Sequence, residues 1–286
     1  MLKNKRILQI LALLLALNFF AWSVIIDLFG NDSLEVTFFN VGQGDAIFIE
    51  NSKGHQVLID GGPDATILER LGQVMPFWDR TIDLLILTHP DSDHITGLTY
   101  VLENYEVENV LWTGIAGSSG VLAKWLELIK EEECQEFIAK ADQEVLLAKA
   151  RLEVLFPFES LAGQLVKEVN DTSIVARLNL GQISFLLTGD IHESAEKRLL
   201  EEGIDLTADI LKVAHHGSKT STSQKFVEAV SPKVAVISVG LDNKYGHPHQ
   251  TVLDTLKEYD ITIFRTDSLN NIKITTNGTK YGISTF

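Results

Sequence analysis

The hydrophobic positions of the chain begin with one long apolar run. Residues 7–26 carry no charge, and Gln9, Asn18 and Ser23 are the clearly polar residues among them. A helix of about 20 residues spans about 30 Å, the thickness of the hydrocarbon core of a bilayer. The run has no amphipathic period, which argues against a helix buried in a soluble core. The pattern therefore predicts a transmembrane helix.

The sequence in and before this run predicts whether it is cleaved and how it is oriented in the membrane. The nearest small-x-small cleavage motif, Ala21-Trp22-Ser23, lies inside the apolar run, which favours an uncleaved anchor over a signal peptide. Lys3, Lys5 and Arg6 precede the run and are expected to stay in the cytoplasm. The chain beyond Asp27 is then expected on the extracytoplasmic side of the cytoplasmic membrane.

After residue 30 the pattern changes to short apolar runs and helical periods. We predict an anchor over residues 1–30 and one domain over residues 31–286. Strands are expected at 34–39, 46–50, 56–59, 84–87, 109–112, 152–156, 173–180, 183–187, 210–214, 234–239, 261–265 and 272–276. Helices are expected from about residue 95, around 120–132, after residue 223 and over 250–259. Gly181-Gln182 predicts a hairpin, and the order of elements predicts two sheets with helices outside.

Charge and cysteine content restrict the chemistry. The 286 residues carry a formal net charge of −15, which disfavours an unassisted nonspecific grip on nucleic acid. Cys134 is the only cysteine, which excludes intramolecular disulfides and thiolate metal cages. Any metal would therefore be held by imidazoles and carboxylates.

Candidate ligands are concentrated in one turn between a strand and a helix. The segment His89-Pro90-Asp91-Ser92-Asp93-His94 directly follows the strand predicted at 84–87. Four ligand-type side chains this close together would repel one another unless cations neutralised them. A solvated acidic loop is the alternative. The first interpretation is favoured by further polar residues at predicted strand ends, namely Asp60, Asp190, His215, His216, His247 and His249.

These residues lie in motifs that resemble the metallo-β-lactamase superfamily, and most closely the extracellular hydrolase domain of ComEC-type competence proteins. The motifs run in family order through the body: residues 39–46, Asp60-Gly61-Gly62, residues 88–94, Leu187-Thr188-Gly189-Asp190, residues 213–218 and residues 245–249. The resemblance implies an α+β fold, a four-layer αββα sandwich, behind the single transmembrane helix.

The resemblance also implies roles for individual residues at two divalent cations. His89 and Asp91 would bind the first cation, Asp93 and His94 the second, and Asp190 both. One of His215 and His216 would complete the second site, and Asp93 and Asp60 would have catalytic roles, Asp60 from behind the ligands. His247 would contact the leaving group or the anionic substrate. Contacts to substrate are further expected from Asn170, Ser218, Lys219 and His249.

Two departures from the superfamily pattern concern the first site. Asp91 stands where a histidine is usual, and Asn170-Asp171-Thr172-Ser173 where another histidine is common. Oxygen ligands are harder than imidazole, so zinc is expected overall, with manganese as an alternative at the first site. Structural roles remain open for other residues: His247 could cap the helix that begins at Gln250, and Ser223 is the expected cap of the helix that follows it.

The leading hypothesis is a phosphodiesterase or a nuclease acting on DNA outside the cytoplasmic membrane, in which hydroxide on the metals is the nucleophile. Alternatives are hydrolysis of a small ester, phosphorylcholine or lactam substrate, and a membrane-tethered binding protein with structural metals. No phosphate-cradling glycine spacing occurs, so no nucleotide cofactor is expected. With one spanning segment the chain is expected to be an accessory or standalone hydrolase and not to conduct DNA.

Overall fold

The computed structural model describes residues 2–29 and 32–286. It divides the chain into two compact units, Met1–Asp32 and Ser33–Phe286. The predicted boundary between residues 30 and 31 lies outside the described residues. The two units are therefore described one at a time.

The first unit contains one helix, α1 (Leu2–Phe29). Its window Lys5–Ser23 is, within the part of the chain that the structure describes, the one helix segment long and apolar enough to cross a membrane. Large apolar side chains of this window, including Leu15 and Phe19, are exposed. The predicted apolar helix is thus present.

The second unit is built on fifteen strands and seven helices among its described residues. The strands are β1 (Leu34–Phe38), β2 (Ile47–Asn51), β3 (Gln56–Ile59), β4 (Thr81–Leu87), β5 (Glu106–Trp112), β6 (Gln135–Ile138), β7 (Glu144–Leu147), β8 (Ala150–Phe156), β9 (Val175–Leu180), β10 (Ile183–Leu187), β11 (Ile210–Lys212), β12 (Val234–Ile237), β13 (Thr262–Arg265), β14 (Ile272–Thr276) and β15 (Tyr281–Thr285). The helices are α2 (Thr66–Val74), α3 (Ser92–Leu102), α4 (Gly120–Glu131), α5 (Glu193–Glu201), α6 (Gln224–Val230), α7 (Gln250–Glu258) and α8 (Thr266–Leu269). Short 3₁₀ turns lie at Asn170–Thr172 and Ala214–Gly217.

The strands form two mixed sheets. The first has the order β15-β14-β1-β2-β3-β4-β5-β6, and the second has the order β13-β12-β11-β10-β9-β8-β7. Strands β3 to β6 are parallel to one another, as are β10 to β13. The predicted hairpin is confirmed, since β9 and β10 pair antiparallel with Leu180 opposite Ile183.

Alternating side chains give each sheet two apolar faces. In β1, Leu34, Val36 and Phe38 belong to the core shared with the other sheet, to which β10 contributes Phe185. On the outer faces, separate clusters pack against α2, α3 and α4 on one side and against α5, α6 and α7 on the other. Because successive strand residues point to opposite faces, sheets covered on both sides are apolar throughout. The predicted αββα sandwich is confirmed.

Candidate metal centre

The polar residues predicted for the site follow strands in both sheets. Asp60 follows β3, His89 follows β4 after one residue, Asp190 lies just beyond β10, and His216 lies just beyond β11. Carboxyl ends of parallel strands share one edge of a sheet, which is where open α/β sites usually form. Since the two sheets face each other, their side chains converge from both sides.

Helix α3 brings two further candidates to this edge. It begins at Ser92, earlier than the predicted position near residue 95, and carries Asp93 and His94 in its first turn. A Cβ added to Gly97 would lie 1.7 Å from the carbonyl oxygen of Gly61, so only glycine allows this approach of helix to strand end. The Gly61 amide also donates to the His94 carbonyl at 2.8 Å. The start of α3 is therefore held against the end of β3.

Three of the eleven non-glycine residues with positive φ in the described part of the chain lie at the same edge. Asp60, His215 and His216 have φ values of 56°, 49° and 55°, in the left-handed region that residues with a side chain seldom adopt. Each such conformation costs on the order of 1–3 kcal/mol and is typical of functional sites. For the two histidines it aims consecutive side chains differently: His216 is buried, whereas His215 is partly exposed.

Asp190 is the centre of the cluster. One of its oxygens, Oδ2, lies 3.3 Å from His94 Nε2 and 3.3 Å from His216 Nε2. His216 Nε2 is also 3.3 Å from Asp93 Oδ2, and the rings of His89 and His94 are 4.1 Å apart. Among the described residues, four overlapping sets have their ligand atoms within 4.8 Å of one another: two consist of predicted residues, His89 with His94 and Asp190 and Asp93 with His94 and His216, and two include Asp45.

Hydrogen bonds behind the cluster orient its imidazoles. His94 Nδ1 lies 2.8 Å from Asp60 Oδ2, and Asp60 also accepts from the backbone N–H and the hydroxyl of Thr88 at 2.8 and 2.7 Å. His216 Nδ1 lies 2.9 Å from the carbonyl oxygen of Ser238 and donates to it. When Nδ1 is held in this way, Nε2 presents its lone pair to the cluster, as in protein metal sites.

Several buried atoms that face the cluster make no hydrogen bond to the described residues. Among the described residues, Nε2 of His89, His94 and His216 and Oδ1 of Asp190 are buried without a hydrogen bond. Such atoms ordinarily cost about 1–3 kcal/mol each. Burial also lowers the pKa of His89 to about 3, so that this imidazole is neutral and can act as a ligand. The donor set fits divalent cations bound by imidazole and carboxylate.

The pKa values of the buried histidines and of Asp190 depend on one another. Burial opposes protonation of His94 and His216, but the carboxylates around them, Asp190 first, together outweigh it and raise both pKa values well above the usual range. Burial likewise opposes ionisation of Asp190, yet the two imidazoles hold its pKa well below the usual range. Without a cation, the carboxylate therefore favours protons on these imidazoles. Metal binding would have to release them.

Two residues of this region received no role from the sequence. Asp45 and Lys212 are fully buried and form an ion pair, and Lys212 Nζ also donates to the Gly189 carbonyl at 3.0 Å. Asp45 Oδ1 lies 3.5 Å from His216 Nδ1, and Lys212 Nζ lies 3.7 Å from Asp190 Oδ1. A lysine inside an apolar strand was the available signal, because an unpaired lysine is almost never fully buried.

Other predicted residues lie around the rim of the cluster. Asp91 is 45% exposed, with its Oδ2 3.8 Å from His89 Nε2. His215 Nε2 lies 4.0 Å from Asp190 Oδ2 and 3.4 Å from Asn170 Nδ2. Burial is the main reason that the pKa of His215 is lowered to about 4. Of the two adjacent histidines, His216 is the one with a ring nitrogen within 4.8 Å of ligand atoms of Asp93 and His94.

The remaining predicted residues make different contacts. His249, and not His247, caps α7, because its side chain accepts from the Thr251 amide. His247 instead faces the cluster, with its ring 5.5 Å from that of His215. Ser218 is buried with its hydroxyl 2.9 Å from that of Thr220, and Lys219 is exposed. The predicted cap at Ser223 is confirmed at the start of α6.

His192 is another residue that the sequence did not single out. It precedes α5, and its ring centroid lies 5.1 Å from that of His215. Its Nδ1 is 3.6 Å from Asp171 Oδ1, and its amide donates to the same oxygen at 3.1 Å. The sequence does indicate that His192 is close to the cluster, because it lies two residues after Asp190.

Comparison with known proteins gives a consistent result. The profile of the metallo-β-lactamase superfamily matches residues 39–240. The chain is 32% identical over 257 residues to ComE operon protein 3 of Bacillus subtilis, covering 84% of this chain and 32% of that protein. It is 30% identical over 240 residues to competence protein ComA of Neisseria gonorrhoeae, covering 81% of this chain and 31% of that protein. The chain thus spans about a third of the length of these relatives.

A solved structure shares the fold at low sequence identity. The metallo-β-lactamase fold protein YhfI from Bacillus subtilis superposes with a TM-score of 0.53 at 13% identity, covering 81% of this chain and 95% of that one. At this identity the likeness concerns the arrangement of sheets and helices.

Proposed function

Since the chain belongs to the metallo-β-lactamase superfamily, we propose that it is a membrane-anchored hydrolase that cleaves phosphodiesters with two divalent cations. The observation that supports this most strongly is the convergence on Asp190 of three buried imidazole nitrogens that make no hydrogen bond among the described residues. A solvated acidic loop would not bury these atoms.

The proposed ligands are divided between two cations. They are His89 and Asp91 for the first, Asp93, His94 and His216 for the second, and Asp190 for both. When bound, the cations would supply a nucleophile from water at neutral pH and neutralise the charge that develops on the phosphoryl oxygens. A carboxylate suits the shared position because it can offer one oxygen to each cation.

The residues around the ligands complete the proposed mechanism. Asp60 holds His94 and the Ser238 carbonyl holds His216, so that neither ring turns away during the reaction. Burial, with His216 beside it, lowers the pKa of His247. A neutral His247 donates its single N–H to an oxygen of the substrate and keeps the phosphodiester oriented.

Two observations bear on the substrate. Similarity to competence proteins supports a phosphodiester of nucleic acid. The net charge of −15 favours instead a small ester, phosphorylcholine or lactam substrate, because it repels a polyanion at long range. We propose the first, since local contacts at a site can outweigh a distant field that salt screens.

Assays of the purified full-length protein in detergent test this choice. A single-stranded oligodeoxynucleotide, a small phosphodiester, a phosphorylcholine ester and a lactam would each be offered to chelator-stripped protein and to protein supplied with zinc or manganese. We expect metal-dependent cleavage of the two phosphodiesters. Turnover confined to the ester or the lactam would overturn the proposal.

We further propose that α1 anchors the protein in the cytoplasmic membrane, with the hydrolase outside the cytoplasm. Lys3, Lys5 and Arg6 precede the uncharged run of residues 7–26 and favour the cytoplasmic side. Protease added to intact spheroplasts is expected to digest the body, whereas a cytoplasmic marker protein stays intact. Protection of the body would refute this orientation, and a soluble product beginning near Val24 would mean that the anchor is cleaved.

The oxygen-rich first site leads to a separate prediction about metal preference. Asp91→His replaces a hard ligand with imidazole and should strengthen zinc retention at that site by about tenfold. Activity should fall, because the lost charge alters the pKa of water at the site. Zinc retention would be followed by dilution against a chelator, with the exposed Asp64→His as control. Equal retention by wild type and both variants would show that Asp91 is not a ligand.

A further inference from the structure

The loop between β12 and α7 has a defined conformation next to the metal centre. The Asn243 side chain fixes it: Nδ2 donates to the carbonyls of Gly240 and His247 at 3.0 and 2.6 Å. Its Oδ1 accepts from the amides of Tyr245 and His247 at 3.2 and 3.0 Å. At the base of the loop, the Gly240 amide donates to Gln43 Oε1 at 3.2 Å. The positions of residues 245 and 247 are therefore set by a network and not by chance packing.

A row of rings leads along this loop to the centre. The Tyr245 ring is stacked on that of His247, with centroids 5.8 Å apart and planes inclined by 23°. His247 lies 5.5 Å from His215, whose Nε2 is 4.0 Å from Asp190 Oδ2. Tyr245 stands at the outer end of this row, and 58% of its surface is exposed. Lys244 Nζ lies 5.1 Å from the centroid of the Tyr245 ring.

We propose that Tyr245 is a stacking site for a nucleobase of single-stranded nucleic acid, an inference that rests on the proposed function. Core packing does not explain an aromatic ring that is mostly exposed, stacked on His247 and carried by a loop whose backbone Asn243 fixes beside a candidate active site. Every nucleobase has a π-face, so stacking holds a strand without reading its sequence. A base on Tyr245 places the backbone of the same strand along the row that ends at Asp190.

The negative net charge of the protein favours binding by base stacking over binding by ion pairs alone. A protein with a net charge of −15 cannot rely on long-range attraction to hold a polyanion. Stacking supplies affinity that does not depend on net charge. A base that takes the place of the ammonium group on the Tyr245 ring would free Lys244 to pair with a neighbouring phosphate. The loop thus offers a ring for the base and a cation for the backbone.

The test compares strands that differ in their bases. Full-length wild-type protein, Tyr245→Leu and Tyr245→Phe, each supplied with metal, would be assayed on an oligodeoxynucleotide and on an abasic strand of the same length. For wild type and Tyr245→Phe we expect a KM about tenfold lower on the strand with bases. In Tyr245→Leu this ratio should fall to near one. Leu241→Ala, on the same loop and 73% exposed, is the control and should keep the wild-type ratio.

The outcomes separate this inference from the proposed function. A base preference that survives in Tyr245→Leu, or an equal loss on both strands, would overturn the stacking site while leaving phosphodiester cleavage intact. A wild-type protein that cleaves neither strand nor a small phosphodiester, with metal present, would overturn the proposed function and the stacking site with it.

Discussion

Asp190→Ala is expected to lower metal-dependent hydrolysis by about a thousandfold or more while the fold stays assembled. The change removes the carboxylate shared by both proposed sites, which is worth several kcal/mol in such centres, and each 1.4 kcal/mol corresponds to tenfold in rate. Asp190 lies beyond the end of β10 and is not one of the apolar residues that form the core between the sheets. Turnover of a phosphodiester and the circular dichroism spectrum would be measured together.

Two further variants make this result interpretable. Asp190→Asn keeps the shape of the side chain and should lose activity to a similar extent, which separates charge and ligation from volume. Asp254→Ala removes an exposed carboxylate on α7 and should retain activity. Near-normal turnover by Asp190→Ala would end the two-cation interpretation.

Lys212→Met is expected to lower the free energy of unfolding by about 3–5 kcal/mol, because it leaves the Asp45 carboxylate buried without its cation. Burial opposes the charge on Lys212, but Asp45 and then Asp190 outweigh it and raise the pKa of the lysine. The pair is therefore charged at neutral pH. Urea unfolding of the full-length protein in detergent, followed by fluorescence of the buried Trp112 and Trp125, would give the difference.

The partner change should recover much of this loss. Asp45→Asn combined with Lys212→Met removes both charges, so the double variant should be more stable than Lys212→Met alone. Lys273→Met is a suitable control, since Lys273 forms a partly exposed ion pair with Glu35, and its loss should cost under about 1 kcal/mol. If Lys212→Met unfolded at the same urea concentration as wild type, the ion pair would not stabilise the fold.

The fold could be predicted where the apolar pattern is continuous. Strands such as β3 and β10 and helix α7 lie within a residue or so of their predicted ends because their periodicity is clear. The edge strands β6 and β7 were missed because their exposed positions break the apolar pattern. Helix α5 was missed as well, since glutamate and lysine occupy most of its surface.

The candidate site could be predicted as a set of residue types but not as a geometry. Strand ends identified Asp60, Asp190 and the histidine pair, whereas the choice between His215 and His216 depends on two left-handed backbone conformations. Asp45 could not be recognised either. Its role depends on a lysine 167 positions along the chain, which only the closed sandwich brings within contact.

Calorimetric titration of zinc into chelator-stripped full-length protein tests the shared role of Asp190 most directly. We predict two cations per chain with unequal affinities, the oxygen-rich first site binding zinc more weakly, and a weakening of both events in Asp190→Asn. A single cation per chain, or two events whose affinities are the same in wild type and Asp190→Asn, would contradict a centre bridged by this carboxylate.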